Sequence, residues 1–166
     1  MPQDWKQSGL RWMWVALLAL ILDQASKLAV MANFELYESL PLIPYLNMTY
    51  VHNTGAAFSF LADAGGWQRW AFAGFALVVT VALTVMLRRQ STSLWRLNLS
   101  YTLIIGGAIG NVIDRLAYGY VVDFIDFYVG SWHWPAFNIA DAAICVGAAL
   151  MILDSLLESR RPKESS

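Results

Sequence analysis

Two aspartates, Asp123 and Asp141, bound the stretch VVDFIDFYVGSWHWPAFNIAD. Asp141 falls about a turn inside a strongly apolar run. A carboxylate at the centre of a membrane helix costs about 2.5–3.5 kcal/mol on insertion scales, and less near the interface. Leu or Ala would avoid that cost. Two carboxyl groups in one site cannot both ionise readily, so one proton is held between them. The ionised member can take a proton from water while the protonated member hydrogen-bonds a scissile carbonyl. Water then adds to give a tetrahedral diol, and the proton passes to the leaving amine. This chemistry needs no cofactor. The residues therefore point to peptide hydrolysis at a membrane surface, although a proton or ion pathway would use similar side chains.

The elements that must position these acids are hydrophobic helices. Of 166 residues 58% are apolar, against about 45–50% in soluble domains, and mean hydropathy is +0.48. A net charge of −1 gives no reason to expect a nucleic-acid partner. Four stretches, roughly 12–32, 70–87, 97–113 and 137–157, are long enough to cross a bilayer, which takes about 20 residues as a helix. The first resembles a signal peptide but runs on past Asp23, Gln24, Ser26 and Lys27, so it is expected to remain as a membrane helix. Lys6 and Arg11 precede it, Arg88, Arg89 and Arg96 lie between the second and third stretches, and Arg160, Arg161 and Lys163 follow the fourth. By the positive-inside rule both termini are cytoplasmic. Loops 33–69 and 114–136 are then outside. Eight of the twelve acids gather at that outer face: Asp23, Glu35, Glu38, Asp63, Asp114, Asp123, Asp126 and Asp141.

The first outer loop suggests a short strand or hairpin over 43–50, followed by a turn at Asn53, Thr54 and Gly55 in NTGAAFSF. A small sheet on the bilayer surface would account for both. The second outer loop, 119–135, carries Tyr120, Phe124, Phe127, Tyr128, Trp132 and Trp134, rings suited to the headgroup level. Gly106 and Gly110 have the small-xxx-small spacing that lets helices approach closely, which makes the third helix the expected packing centre.

Helical spacing groups the polar residues. Asn111, Asp114 and Arg115 share one face of the third helix, Asn138 and Asp141 one face of the fourth, and Asp23 and Lys27 one face of the first. Asn53 and Asp123 can join them from the loops. Asp114 and Arg115 read as an ion pair or helix-end cap, Asn111 and Asn138 as hydrogen-bond positioners, and Asp23 as a partner of Lys27, which otherwise snorkels. Asp126 is either a rival to Asp123 or faces water. His52 and His133 each stand alone on a loop, which argues against a metal site. Cys145 excludes an internal disulfide and reads as a small buried apolar residue. A transporter would place its carboxylates near the midplane and often show repeats. Here the acids crowd one interface and no repeat is visible.

The blocks LDQASK at Asp23, VHNTGAAFS at Asn53, GGAIGNVIDR at Asn111–Arg115, VVDFIDF at Asp123 and FNIAD at Asp141, in this order, resemble the lipoprotein signal peptidases, the signal peptidase II family. The resemblance implies a membrane α-helical fold: one domain over 1–166, a four-transmembrane-helix bundle with a small periplasmic β-sheet cradle and a mobile outer loop. It implies an aspartic endopeptidase of the bacterial inner membrane, acting at the periplasmic face. Such an enzyme removes signal peptides from diacylglyceryl-modified prolipoproteins, cutting just before the lipidated Cys, and is blocked by globomycin-type cyclic peptides. By motif, Asp123 and Asp141 are the catalytic pair. Asp23, Asn53, Asn111, Asp114, Arg115 and Asn138 are supporting or substrate-contacting. No metal and no cofactor are implied, membrane lipid is an expected partner, and a bundle of four helices is expected to act as a monomer. The aromatic loop, with Trp132 and Trp134, is expected to cover the lipid-bearing Cys. The GxGD, GxSx and HExxH strings of other membrane proteases do not occur.

Overall fold

In a computed structural model, residues 5–55 and 66–159 of the chain are described. Four long helices form: α1 (Met13–Asn33), α2 (Trp67–Arg89), α3 (Trp95–Ala117) and α4 (Ile139–Ser159). α2 and α3 enclose the second and third stretches expected from hydropathy, and α1 and α4 begin one and two residues after the start of the first and fourth. Among the described residues, three segments are by length and composition apolar enough to cross a membrane: Gly9–Asn33, Trp67–Arg89 and Ile139–Ser159. The remaining expected span, α3, is not among them. It is equally long, but Asn98, Ser100, Thr102, Asn111, Asp114 and Arg115 dilute its apolar content.

The burial pattern explains how α3 tolerates them. In α1 the residues that face inward are Val15, Ala16, Ala19, Asp23, Lys27 and Val30, spaced as one helical face. The bulky Trp14, Leu17, Leu18, Ile21 and Leu22 face outward. In α4, Ala140, Ala143, Gly147 and Asp154 face inward, and Val146, Met151, Ile152 and Leu156 face out. Large apolar residues outside and small ones inside are what helices packing in lipid require. α3 lies at the centre, with α1, α2 and α4 each packed on it. Several of its polar groups are hydrogen-bonded there. Ser100 Oγ donates to the Gly147 carbonyl at 2.7 Å, and Thr102 Oγ1 donates to the Asn98 carbonyl at 2.7 Å. At the opposite end of α3 from Asn111 and Asp114, Arg96 Nε clasps Asp154 Oδ1 at 2.6 Å.

Close approach to α3 depends on glycine. A Cβ on Gly107 would overlap the backbone carbonyl oxygen of Ala140, and one on Gly106 would lie 2.6 Å from that of Ala16. A backbone oxygen cannot swing aside. Overpacking costs about 1–3 kcal/mol, more than the roughly 1 kcal/mol of helix propensity that alanine contributes. Gly107→Ala is therefore expected to lower the thermal midpoint in detergent by several degrees. Gly74→Ala, where a Cβ meets nothing within 4 Å, is expected to leave it unchanged or raise it.

Residues 39–53 and 121–133 form an antiparallel sheet at one end of the bundle, in the order β1 (Ser39–Ile43), β2 (Leu46–Asn53), β3 (Val121–Val129), β4 (Trp132–His133). The short strand or hairpin expected over 43–50 is a hairpin, and it runs from Ser39 to Asn53. The second outer loop is not a loop. Its aromatic run is β3 and β4, joined through Gly130 at φ +63°. β3 is buried over Val121–Phe124 because β2 flanks it and the helix ends pack on it. Phe124 is therefore a core residue, joined to Val30, Tyr50 and Val122, and not a headgroup ring. Phe127, Trp132 and Trp134 are exposed. Residues 56–60 of NTGAAFSF, Asp63, and the basic residues Arg160, Arg161 and Lys163 lie outside the described residues.

Candidate active site

Asp123 sits in the first half of β3, opposite Val51 of β2, and is 1% exposed. It enters from a strand, not from a loop as its sequence context suggested. Asp141 sits in the first turn of α4. Asn138 joins the two. Its side-chain Nδ2 donates to Asp123 Oδ1 at 2.7 Å, and its backbone N–H donates to Asp141 Oδ2 at 3.3 Å. Its Oδ1 in turn accepts from the Asp141 N–H at 2.9 Å, which caps α4. The FNIAD string thus places the bridging amide and its acid three residues apart, as a helix N-terminus requires.

The other oxygens of the pair are also held. Asn53 Nδ2 donates to Asp123 Oδ2 at 2.9 Å, and Asn111 Nδ2 donates to Asp141 Oδ1 at 2.8 Å. Burial pushes the Asp123 carboxyl up to about 7, and the nearby Asp141 charge adds to this, against the pull of the Asn53 and Asn138 hydrogen bonds and the Lys27 charge. Near neutral pH such an acid still carries its proton part of the time, the condition that a proton-sharing pair needs.

Beneath the pair lies a buried polar floor. Lys27 Nζ is 2.8 Å from Asp23 Oδ2 and 2.8 Å from Asp114 Oδ2, and 3.0 Å from Asn111 Oδ1. Gln24 Nε2 reaches Asp114 Oδ1 at 2.9 Å and the Gly110 carbonyl at 3.2 Å. The Asp23–Lys27 pairing is as expected. Asp114 corrects the expectation of a pair with Arg115: its ion pair is with Lys27, and it also accepts the Val122 N–H at 3.1 Å. Arg115 instead donates to the carbonyls of Asn111 at 3.2 Å and Gly55 at 3.0 Å, tying α3 to the end of β2. All eight residues singled out in the sequence therefore gather at one end of the bundle. Sequence reasoning missed Gln24 and placed Lys27 only as the partner of Asp23. The only signal for either was their place in LDQASK, beside and one turn after Asp23.

A cavity of ≈ 490 Å³ opens beside the pair, lined by Phe72, Phe75, Val79, Ile104, Trp134 and Phe137, with Asn111, Arg115 and Asp141 at its polar end. Asp141 lines it and Asp123 does not. Cys145, one turn after Asp141, also lines it and is exposed, which corrects its reading as a buried residue.

Asp126 is not a rival to Asp123. Three residues apart on a strand, the two point to opposite faces. Asp126 accepts Asn47 Nδ2 at 3.1 Å and Thr49 Oγ1 at 3.1 Å, and His133 Nδ1 lies 2.8 Å from its Oδ1. Burial alone would raise its carboxyl, but these hydrogen bonds together hold it below the usual value. His133 is thus paired across β3 and β4 rather than alone. His52 is not alone either. It stacks on Tyr120 at 3.6 Å with Nε2 2.8 Å from the Tyr50 hydroxyl. Burial lowers its proton affinity and, with the nearby Tyr120, pushes Tyr50 up to about 12. Among the described residues no three His, Cys, Asp or Glu side chains converge as a metal site requires.

Two acids held by one asparagine at the end of an apolar helical bundle suit one class of protein, the membrane aspartic peptidase. Residues 15–157 match the family described as Signal peptidase (SPase) II. A lipoprotein signal peptidase of Shewanella halifaxensis is 61% identical over 165 residues, covering 99% of this chain and 97% of the relative. One of Shewanella loihica is 62% identical over 162 residues, covering 98% and 95%. A solved bacterial membrane enzyme, 30% identical, superposes with a TM-score of 0.83 over 94% of this chain and 93% of its own. The chain belongs to the signal peptidase II family and is a membrane peptidase.

Proposed function

We propose that this chain removes the signal peptide from diacylglyceryl-modified prolipoproteins, cutting just before the lipidated Cys with water activated by Asp123 and Asp141. The observation that carries this reading is Asn138, which holds one oxygen of each acid from a single residue. In the reaction the ionised carboxyl removes a proton from water, whose oxygen bonds to the scissile carbonyl carbon. The protonated carboxyl hydrogen-bonds the carbonyl oxygen. Collapse of the diol breaks the C–N bond as a proton passes to the amine. Asp23, Asn53, Asn111, Asp114, Arg115 and Asn138 hold this arrangement and the substrate backbone.

The chain is proposed to form one domain in a bacterial inner membrane, with four spans, α3 included. The hydrogen bonds made by Ser100, Thr102, Asn111 and Asp114 of α3 and its place among the other helices support its crossing. Lys6, Arg11, Arg88, Arg89 and Arg96 put both termini in the cytoplasm and the site at the periplasmic face. A signal helix with a lipid at its cleavage site presents its scissile bond at that interface, and the apolar cavity beside Asp141 suits lipid or peptide. Globomycin-type peptides would compete there. All the proposed site residues come from one chain, which supports a monomer.

The test is cleavage of a diacylated prolipoprotein by the purified protein in lipid, followed by mass spectrometry. Scission before the modified Cys is expected, with the unlipidated precursor left uncut. Scission elsewhere, or none, defeats the reading. Trp134 lines the cavity and meets Trp132 edge to face at 6.0 Å. Replacing both with Ala is expected to reduce kcat/KM on the lipidated substrate about tenfold, through loss of buried aromatic contact of roughly 1.5 kcal/mol. Unchanged kinetics would remove these rings from the substrate site.

A further inference from the structure

The cleavage chemistry leaves the buried Lys27 without a task. Its ammonium is 1% exposed, a costly place for a charge. It has three N–H groups and three acceptors: Asp23 Oδ2, Asp114 Oδ2 and Asn111 Oδ1. Each acceptor leads to a member of the acid pair. Asp23 Oδ1 accepts the N–H of Ala140 at 2.9 Å, the residue before Asp141. Asp114 Oδ2 accepts the N–H of Val122 at 3.1 Å, the residue before Asp123. Asn111 Nδ2 donates to Asp141 Oδ1 itself.

The cation also decides which way Asn111 faces. Asn111 Oδ1 receives donors from Lys27 and from Asn138 Nδ2, the latter at 3.2 Å. A flipped amide would set its N–H₂ against those two donors and its oxygen against the Asp141 carboxylate. Gln24 cannot substitute, since its contacts are with Asp23, Asp114 and the Gly110 carbonyl.

We propose that Lys27 is a positioning residue for the hydrolysis: its ammonium fixes Asp23, Asp114 and the amide of Asn111, and through them the place of both catalytic carboxyls. This role rests on the peptidase reading. The charged groups around it are Asp23 on α1, Asp114 and Arg115 on α3, Asp123 on β3 and Asp141 on α4.

The experiment compares wild type with Lys27→Met on the diacylated prolipoprotein in lipid, with the folded fraction measured for each. Lys27 does not line the cavity, so KM is expected to stay within about twofold. kcat is expected to fall about 30-fold or more, the scale of a misplaced reacting group. The alkaline limb of the pH profile is expected to move to higher pH, because Asp123 loses a nearby positive charge. A lower thermal midpoint with unchanged kcat per folded enzyme and an unchanged pH profile would mean a purely structural lysine and overturn the proposal. If Lys27→Met does not fold, K27M/D23N removes one charge of each sign and leaves residue 23 a carbonyl to accept from Ala140. Its kcat is expected to fall well below that of Asp23→Asn alone, and equality would overturn the proposal. Wild type that cuts nothing would take down the peptidase reading and this role together. Wild type that cuts beside an unimpaired Lys27→Met takes down this role alone.

Discussion

Asp123→Asn and Asp141→Asn are each expected to slow cleavage of a diacylated prolipoprotein about 10³- to 10⁴-fold, the contribution of a positioned acid or base. Neither amide can take a proton from water or return one to the leaving amine. Wild type is expected to show a bell-shaped rate against pH. The rate falls on the alkaline side as the proton held by the pair is lost around the value of about 7 to which Asp123 is raised, and falls on the acid side as the second carboxyl is protonated. Asp123 binds its proton more tightly folded than unfolded, so its ionisation works against the fold as pH rises from about 4, its unfolded value, to about 7. Asp123→Asn is spared that opposition. It is expected to unfold no earlier than wild type at pH 8, so lost activity with a retained thermal midpoint is a chemical loss. Substantial cleavage by either variant would dismiss the dyad.

Asn138→Ala is expected to have the next largest effect, a fall of about 10²-fold in kcat, which is the cost of displacing a reacting group by roughly 1 Å. The substitution takes the 2.7 Å donor from Asp123 and the cap from the Asp141 N–H. The cap accounts for about 1 kcal/mol of stability, too little to unfold the bundle. The reaction should therefore suffer far more than the fold. Parallel measurement of kcat and thermal midpoint checks this, and a variant that loses stability but keeps kcat would reduce Asn138 to a helix cap.

The two acids are legible in the sequence because the signals that expose them are local. An acid in an apolar helix stands out at Asp141, and helical spacing shows that Asn138 shares its face. The same spacing groups Asn111 with Asp114 and pairs Asp23 with Lys27. Asp123 is harder. Its surroundings, VVDFIDF, carry no helical period, and the density of rings reads as a membrane belt. Only pairing with β2 makes it a strand. That pairing separates Asp123 from Asp126 and commits Asp126 to Asn47, Thr49 and His133.

From its residues alone, this chain is an apolar helical protein with acids gathered at one interface, since composition, periodicity and neighbouring charges are properties of short segments. Tertiary structure decided that α3 would be the sheltered polar helix, that Asp114 would choose Lys27 over its neighbour Arg115, and that Cys145 would face a cavity. The contacts responsible join residues far apart in the chain: Lys27 reaches Asn111 across 84 positions, and Asp23 holds Ala140 across 117. A side chain chooses among distant partners only once the backbones that carry them are packed, and no local pattern records that choice.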